Sequence, residues 1–247
     1  MRTLALDIGN TAVKYGCFEA NALVESATGQ TAAQVRAAVQ RLQPEHVILA
    51  SVAEPTTTWA EELRRVIPGT VLEFAPATTV LPIRNAYATP HTLGADRLAA
   101  AVGAAWLLPG RPVVIVDAGT AIKCDFVSAA GEFRGGSIAP GLAMRFKALH
   151  TFTGRLPLID QPADVAAPVP LTGDDTQAAI RSGVLNGAAA EVSGMLAEYE
   201  ARFPQLAVVL AGGDAPFFRT RLKRPIFVVP ELVLFGLHRI LVHHVST

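Results

Sequence analysis

The chain has 247 residues, of which 51% are apolar and 17% carry a charged side chain. This composition can bury a large core over a length that suits two modest domains, which excludes an intrinsically disordered protein. The 21 basic side chains balance the 21 acidic ones, which excludes a broad basic surface for nucleic acid or anionic lipid.

The apolar segments are too short to span a membrane. The longest, from Leu98 to Leu108, has eleven residues, whereas a helix needs about 20 to cross a bilayer. Asp7 interrupts the N-terminal apolar run after three residues, so we expect no secretion signal. Cys17 and Cys124 have no second sulfur at metal-ligand spacing. We therefore expect a soluble cytoplasmic protein with no membrane partner and with both thiols reduced and buried.

The first 110 residues alternate predicted strands with predicted helices. Apolar runs on both sides of a Gly9–Thr11 turn predict a hairpin, and apolar residues at helical spacing predict amphipathic helices. The predicted strands are 3–8, 13–18, 46–51 and 70–74, and the predicted helices are 31–42, 59–67 and 95–108. Residues 76–92 are rich in Pro and Thr, which predicts an irregular loop. The alternation is typical of an α/β domain with a mainly parallel sheet.

A break at Pro109-Gly110 precedes a second half that again begins with a strand. The predicted strands of this half are 113–116, 121–127, 133–138 and 207–211, and its predicted helices are 141–149, 176–186, 187–203 and 232–245. The proline-rich segment 156–174 is predicted to be a second long loop. We therefore predict an α/β protein with two domains, residues 1–110 and 111–247.

Each half contains a strand that delivers an aspartate, then a glycine, then a hydroxyl residue. The first copy is Asp7-Ile8-Gly9-Asn10-Thr11, and the second is Asp117-Ala118-Gly119-Thr120. An aspartate at a strand end can hold magnesium or its water shell, while the glycine lets backbone amides approach phosphate oxygens. A single copy is more often an ordinary turn. The repetition favours two phosphate-binding turns in two related halves.

A lysine follows each turn at the same distance from its threonine. Lys14 comes three residues after Thr11, and Lys123 comes three residues after Thr120. Lys14 is close enough to reach a nucleotide phosphate, although a solvated strand lysine is the alternative. The repeated spacing is stronger support for a shared role than either lysine alone.

The segment Gly94-Ala95-Asp96-Arg97 lies at the junction between the predicted loop 76–92 and the predicted helix 95–108. Asp96 is suited to the positive end of a helix dipole, and Arg97 offers a forked donor for a carboxylate or a phosphate. A plain capping pair is one interpretation. The other is that Asp96 accepts the proton of an attacking hydroxyl during phosphoryl transfer.

Two glycine-rich segments lie in the second half. Gly212-Gly213-Asp214 follows a predicted strand and would permit close approach of a flat ligand such as adenine or its ribose. The segment 135–141 precedes a predicted helix, which favours an anion-facing backbone as much as a structural turn.

Taken in order, these motifs resemble those of the type III pantothenate kinases over nearly the whole chain. The resemblance implies two ribonuclease-H-like domains of the actin and sugar-kinase superfold, with a nucleotide cleft between them. It also implies phosphorylation of the primary hydroxyl of pantothenate, the first step of coenzyme A synthesis. The implied cofactors and partners are ATP, Mg2+, a monovalent cation such as K+ or NH4+, and a second copy in a homodimer.

The resemblance assigns a role to each candidate residue. Asp96 would be the catalytic proton acceptor, Asp117 would bind the monovalent cation, and Asp7 would bind magnesium through water. Residues implied to bind ATP are Asp7, Ile8, Gly9, Asn10, Thr11, Ala12, Val13, Lys14, Thr120, Gly212 and Gly213. Residues implied to bind pantothenate are Tyr87, Gly94, Ala95, Asp96, Arg97 and Thr176, with Arg97 a candidate for its carboxylate.

The chain departs from the family pattern at two places. Ile122-Lys123 replaces a usual threonine pair, and Asp175 replaces the usual asparagine before Thr176. One hypothesis is that the Lys123 ammonium partly replaces the monovalent cation near Asp117, which would make the kinase less dependent on potassium.

Two other functions remain open from the sequence. A sugar or amino-sugar kinase of the same superfold is one, although residues 87–97 supply only Asp96 as an acid for a ring of hydroxyls. An ATP-binding transcription accessory factor is the other, although the intact Asp96 argues against a purely regulatory protein.

Overall fold

The computed structural model describes residues 1–9, 13–51, 56–162 and 164–246. Its contacts divide the chain into two compact units. Unit 1 comprises Met1–Gly110, Val127–Arg134 and Glu231–Thr247, and unit 2 comprises Arg111–Phe126 and Gly135–Pro230. The longest segment of unit 1 ends at Gly110. The units differ from the predicted ranges 1–110 and 111–247 because they group two later segments, 127–134 and 231–247, with the first half.

Strands and helices of the described residues follow one another as expected for an α/β protein. The strands are β1 (Arg2–Ile8), β2 (Val13–Glu19), β3 (Ala22–Gln30), β4 (His46–Ser51), β5 (Val71–Glu73), β6 (Arg84–Asn85), β7 (Val113–Ala118), β8 (Ala121–Val127), β9 (Glu132–Pro140), β10 (Ala207–Ala211) and β11 (Phe227–Val228). The α-helices are α1 (Ala32–Leu42), α2 (Thr57–Arg64), α3 (Ala95–Leu107), α4 (Leu142–Thr151), α5 (Thr176–Arg181), α6 (Gly187–Arg202), α7 (Ala215–Arg219) and α8 (Leu232–Ser246). A 3₁₀ turn covers Pro90–Thr92, and a π-helical turn covers Ser182–Asn186.

Unit 1 contains a five-stranded sheet in the order β3-β2-β1-β4-β5. β1 pairs antiparallel with β2 and β2 pairs antiparallel with β3, whereas β1 and β4, and β4 and β5, are parallel. The prediction of a mainly parallel sheet is wrong here, because half of the pairings are antiparallel. Only a few residues separate the first three strands along the chain, and such short connections join antiparallel neighbours.

The core of this sheet lies under α1 and α2. Leu4 and Leu6 of β1 are fully buried and belong to one apolar cluster with Val35 and Val39 of α1. Thr31 begins α1 with a capping box, in which its side chain accepts from the backbone N–H of Gln34 and the Gln34 side chain accepts from that of Thr31.

The last helix, α8, packs against α3 in unit 1. A Cβ atom on Gly236 would overlap the carbonyl oxygen of Ala99, and one on Gly103 would lie 2.6 Å from that of Leu232. These two glycines therefore let the helix backbones approach closely. His238 of α8 also stacks on Phe18 with ring centroids 4.2 Å apart. Its burial lowers the pKa of His238 to about 4.

Unit 2 is built on the strands β11-β10-β7-β8-β9, with both β7 and β11 parallel to β10. Glu132 and Phe133, at the start of β9, belong to unit 1 and pair there with β6. The buried faces of β7, β8 and β10 form one apolar core with α4, the π-helical turn and α6. No helix in the described part of the chain is both long enough and apolar enough to cross a membrane.

Candidate functional site

In the first copy of the motif, the aspartate near the end of β1 pairs with the lysine of β2. Asp7 lies directly opposite Lys14 in the antiparallel register, so the two side chains leave the same face of the sheet. Asp7 is partly buried and Lys14 is exposed. Gly9 is partly buried, while the predicted ATP residues Asn10, Thr11 and Ala12 lie outside the described residues.

In the second turn, β7 ends after Asp117 and β8 begins at Ala121. The backbone N–H of Gly119 donates to the carbonyl of Ala121 over 3.1 Å, which closes the turn tightly. A Cβ atom on Gly119 would meet nothing within 4 Å, and Thr120 is exposed. The turn therefore leaves open space beside Gly119, next to the exposed hydroxyl group of Thr120.

The Gly212-Gly213 turn lies against this second turn in unit 2. Gly212 has a φ of 89°, and a Cβ atom there would overlap the carbonyl oxygen of Ala118 and lie 2.6 Å from Oδ1 of Asp117. Only glycine fits that position. At Gly213 a Cβ atom would meet nothing within 4 Å. The predicted ATP residues Thr120, Gly212 and Gly213 thus belong to adjacent turns, with open space beside Gly213.

The helix α4 also begins at the second turn. The backbone N–H of its N-cap residue, Gly141, donates to the carbonyl of Thr120 over 3.1 Å. No side chain caps this helix N-terminus, and a Cβ atom on Gly141 would overlap the carbonyl oxygen of Gly119. The positive end of the α4 dipole is therefore held beside the turn, which favours an anion there.

Lys123 forms an ion pair with the aspartate of this turn. Its Nζ lies 2.6 Å from Oδ2 of Asp117, and the two side chains are only 16% and 18% exposed. The hypothesis that an ammonium group stands near Asp117 is consistent with this contact. The monovalent cation predicted at Asp117 would have to share the carboxylate with Lys123.

A separate cluster in unit 1 forms at the start of α3. Asp96 occupies the first turn of the helix, after Gly94 as the N-cap residue. A Cβ atom on Gly94 would lie 2.6 Å from Oδ1 of Asp96. Gly94 therefore leaves room for the Asp96 carboxylate, which is partly exposed and is favoured there by the helix dipole.

The next residue, Arg97, is held by an aromatic ring. Its guanidinium carbon lies 5.5 Å from the ring centroid of Tyr87, and the residue is 6% exposed. The Tyr87 ring in turn packs against Phe133, with centroids 6.0 Å apart. The contact with the π face fixes the position of the buried cation.

Five of the six residues predicted to bind pantothenate lie in this unit 1 cluster or beside it: Tyr87, Gly94, Ala95, Asp96 and Arg97. The sixth, Thr176, is the first residue of α5 in unit 2 and is exposed. Asp175, one of the two departures from the family pattern, is the N-cap of α5 and accepts from the N–H of Ala178 over 2.8 Å. Aspartate and asparagine serve equally well as N-caps, so the exchange preserves the helix start.

Asp214 is a carboxylate to which the sequence assigned no role of its own. It follows Gly213 directly, its backbone N–H donates to the Ala118 carbonyl over 2.9 Å, and burial raises its pKa. The sequence signal that could have identified Asp214 was its position directly after Gly212-Gly213. Among the described residues, no group of three or more His, Cys, Asp or Glu side chains could hold a metal ion.

Comparison with solved structures identifies the fold. A protein from Campylobacter jejuni assigned to the Baf family of transcriptional activators matches 99% of this chain and 100% of its own, with a TM-score of 0.65 and 19% identity. A Listeria monocytogenes protein assigned as an N-acetylmannosamine kinase matches 99% and 100%, with a TM-score of 0.59 and 14% identity. At such identities the likeness concerns the fold alone. It confirms the predicted α/β fold class.

Sequence comparison identifies the family. The profile of the type III pantothenate kinases matches residues 3–198. A type III pantothenate kinase from Cytophaga hutchinsonii is 43% identical over 242 residues, which cover 98% of this chain and 99% of that protein. The chain therefore belongs to the type III pantothenate kinase family.

Proposed function

We propose that this protein transfers the terminal phosphoryl group of ATP to the primary hydroxyl of pantothenate. The product would be 4'-phosphopantothenate, and the reaction would be the first step of coenzyme A biosynthesis. The observation that carries the proposal is the full-length similarity to a relative named for this activity, in a chain that keeps Asp96 at the uncapped start of α3.

Asp96 is proposed as the group that orients the pantothenate hydroxyl and accepts its proton. Gly94 supports this role because it leaves the carboxylate room above the first helical turn. Arg97 is proposed to bind the pantothenate carboxylate, and its contact with Tyr87 would hold the guanidinium in place before substrate arrives. Ala95 and Thr176 complete the proposed pantothenate contacts.

The ATP phosphates are proposed to bind at the glycine turns. In unit 1 the contacts would come from Asp7 to Lys14, and in unit 2 from Thr120, Gly212 and Gly213. Open backbone at Gly119 and Gly213 supports this assignment, as does the N-terminus of α4 beside the second turn. Backbone amides and a helix dipole would offset the charge that develops on the phosphoryl oxygens.

Magnesium is proposed to act with ATP, since it would neutralise phosphate charge during the transfer. The described residues fit a metal that is held mainly by phosphate and water, because they offer no cluster of three ligating side chains. Asp7 is the proposed protein contact, through water. The predicted monovalent cation fits its proposed residue less well, since Lys123 already contacts Asp117.

We also propose that the enzyme is a cytoplasmic homodimer that binds neither nucleic acid nor membrane. The exposed large apolar side chains of unit 2 are candidates for the interface with the second copy. They include Ile138, Met144, Phe152, Leu158 and Leu171. Sedimentation equilibrium would test this, and a monomer at the concentrations used for the assays would contradict it.

A coupled assay of ADP release tests the acceptor. The purified protein is given ATP and one of three acceptors: pantothenate, glucose or N-acetylglucosamine, with and without magnesium. We expect ADP release with pantothenate and magnesium alone. Comparable turnover of either sugar would replace this proposal with a sugar kinase, and release with no acceptor would point to an ATPase.

The role of Asp96 is tested by Asp96→Asn, which keeps the size of the side chain but removes the proton acceptor. We expect kcat to fall by about 10²-fold or more, with unchanged affinity for a non-hydrolysable ATP analogue. Asp160→Asn, at an exposed position of unit 2, is the control and should behave as the wild type. Near-normal turnover of Asp96→Asn would contradict the assignment.

A further inference from the structure

We infer that Lys123 is a built-in cation at Asp117, so that nucleotide binding by this enzyme does not depend on potassium. The inference rests on the proposed ATP binding at the second turn, but not on the identity of the acceptor. It follows from contacts within unit 2.

Both members of the ion pair are fixed by the sheet. Asp117 lies in β7, where it pairs with Ala211 of β10, and Lys123 lies in β8. Their charged atoms are 2.6 Å apart, and less than a fifth of either side chain is exposed. An ion pair that is anchored on two strands and mostly shielded from water is less screened and more persistent than an ion pair on the surface.

The two oxygens of Asp117 face different neighbours. Oδ2 contacts the Lys123 ammonium, while Oδ1 lies so near Gly212 that a Cβ atom there would be 2.6 Å away. A potassium ion that used this carboxylate would have to displace the ammonium or sit beside it. Two like charges at that distance repel strongly where water is scarce. Asp117 is thus a poor site for an added cation while Lys123 is present.

The ammonium can do what a monovalent cation would do at this place. It carries the same single charge, and it belongs to β8, the strand that follows the turn with Gly119 and Thr120. Because it is part of the chain, its local concentration does not depend on the salt in the medium. A charge placed in advance beside the phosphates needs no ion to bind before the nucleotide does.

The test is the substitution Lys123→Thr, which removes the charge and leaves an oxygen donor. The dissociation constant of a non-hydrolysable ATP analogue is measured by calorimetry, without pantothenate, in potassium, ammonium, sodium or choline chloride at one ionic strength. For the wild type we expect the same value in potassium and in choline. For Lys123→Thr we expect binding to be at least about fivefold tighter in potassium than in choline, with a matching rise in Tm.

Lys147→Thr is the control, since Lys147 is an exposed lysine of α4 in the same unit. It should show the wild-type salt profile. A wild-type enzyme that needs potassium to bind the analogue would overturn the inference. So would a folded Lys123→Thr variant that shows no difference between the salts, because Asp117 would then not be a cation site.

The wild-type measurement decides the question by itself if Lys123→Thr does not fold. The acceptor assay is separate from this test. A protein that releases no ADP with pantothenate but binds the analogue equally in potassium and choline would refute the proposed substrate and keep this inference.

Discussion

Asp7 and Asp117 each stand near the end of a buried strand and precede a glycine by two positions, yet the lysines that follow them lie in different surroundings. Lys14 is exposed and faces Asp7 across a strand pair. Lys123 is mostly buried and lies 2.6 Å from Asp117. Six residues separate the first pair along the chain and five separate the second.

A glycine turn packs against the second copy. In unit 2 the Gly212 turn lies against Asp117 of the ion pair, since a Cβ atom on Gly212 would be 2.6 Å from Oδ1 of that aspartate. The repeated motif therefore contains one exposed lysine and one mostly buried lysine that is held in an ion pair. Substitutions at the two turns test whether the two lysines differ in their contribution to stability and to ligand binding.

The largest effect is expected at the glycine turn that lies against Asp117. Gly212→Ala should lower the free energy of unfolding by at least about 2 kcal/mol, because φ is 89° and the new methyl group would overlap the Ala118 carbonyl. Gly213→Ala, where the methyl group meets open space, should change stability by less than about 1 kcal/mol. Chemical denaturation measures both. Equal losses would show that the close approach at Gly212 is not what holds the second turn.

The second-largest effect is expected for the stability of variants at the two lysines. Lys123→Met should lower the free energy of unfolding by about 1–3 kcal/mol, because it leaves a mostly buried carboxylate without its ammonium partner. Lys14→Met should change it by less than about 0.5 kcal/mol, because Lys14 is exposed. The measurement is made in choline chloride, so that no small cation replaces the lost charge. A larger loss for Lys14→Met would reverse the assigned roles.

A smaller effect is expected for ligand affinity at the first turn. Lys14→Met should weaken binding of an ATP analogue by about tenfold, the loss of one charge-assisted hydrogen bond to phosphate. Lys147→Met is the matched control at an exposed site of unit 2. Calorimetry measures both. Unchanged affinity for Lys14→Met would mean that this lysine is a solvated strand residue, the alternative that the sequence leaves open.

The elements that the sequence predicted are those that bury a regular apolar face. β1, β4, α1 and α3 are of this kind. β3 was missed because it is an edge strand of the sheet, with residues that alternate only between partly buried and exposed. Such a strand has little apolar pattern to detect. α7 and β11 were missed because they have only five and two residues.

The helix against which α8 packs could not be predicted from the pattern of apolar residues either. Its contacts with α3 join parts of the chain more than 100 residues apart. Gly103 and Gly236, small residues inside otherwise apolar helices, were a signal of close helix packing. Neither glycine indicates which helix packs against its own. Periodicity shows which face of a helix is buried, but not which element covers it.

In the candidate site, too, some features were predictable from the sequence and others depend on the fold. The motif around Asp96 was visible because its residues are neighbours in sequence. The contact of Tyr87 with Arg97 and the contact of Gly212 with Asp117 depend on tertiary structure. Lys123 is intermediate, because its spacing from Thr120 was a signal and its distance from Asp117 required the fold.

The smallest effect concerns the cysteines, one of which follows each turn. Cys17 in β2 and Cys124 in β8 are both buried, and burial raises the pKa of each thiol, to about 11 for Cys124. Because the thiolate is the reactive form, a maleimide or iodoacetamide probe at mildly alkaline pH should label neither residue in the native protein. Both should react in concentrated guanidinium chloride.

The residue that reacts first as denaturant is raised, identified by mass spectrometry, reports which sheet opens first. The ion pair beside Cys124 predicts that Lys123→Met in choline chloride speeds labelling of Cys124 and leaves that of Cys17 unchanged. Lys14→Met should alter neither rate. Equal acceleration at both cysteines in Lys123→Met would mean that the two units open together, and that the difference between the turns has no local effect on stability.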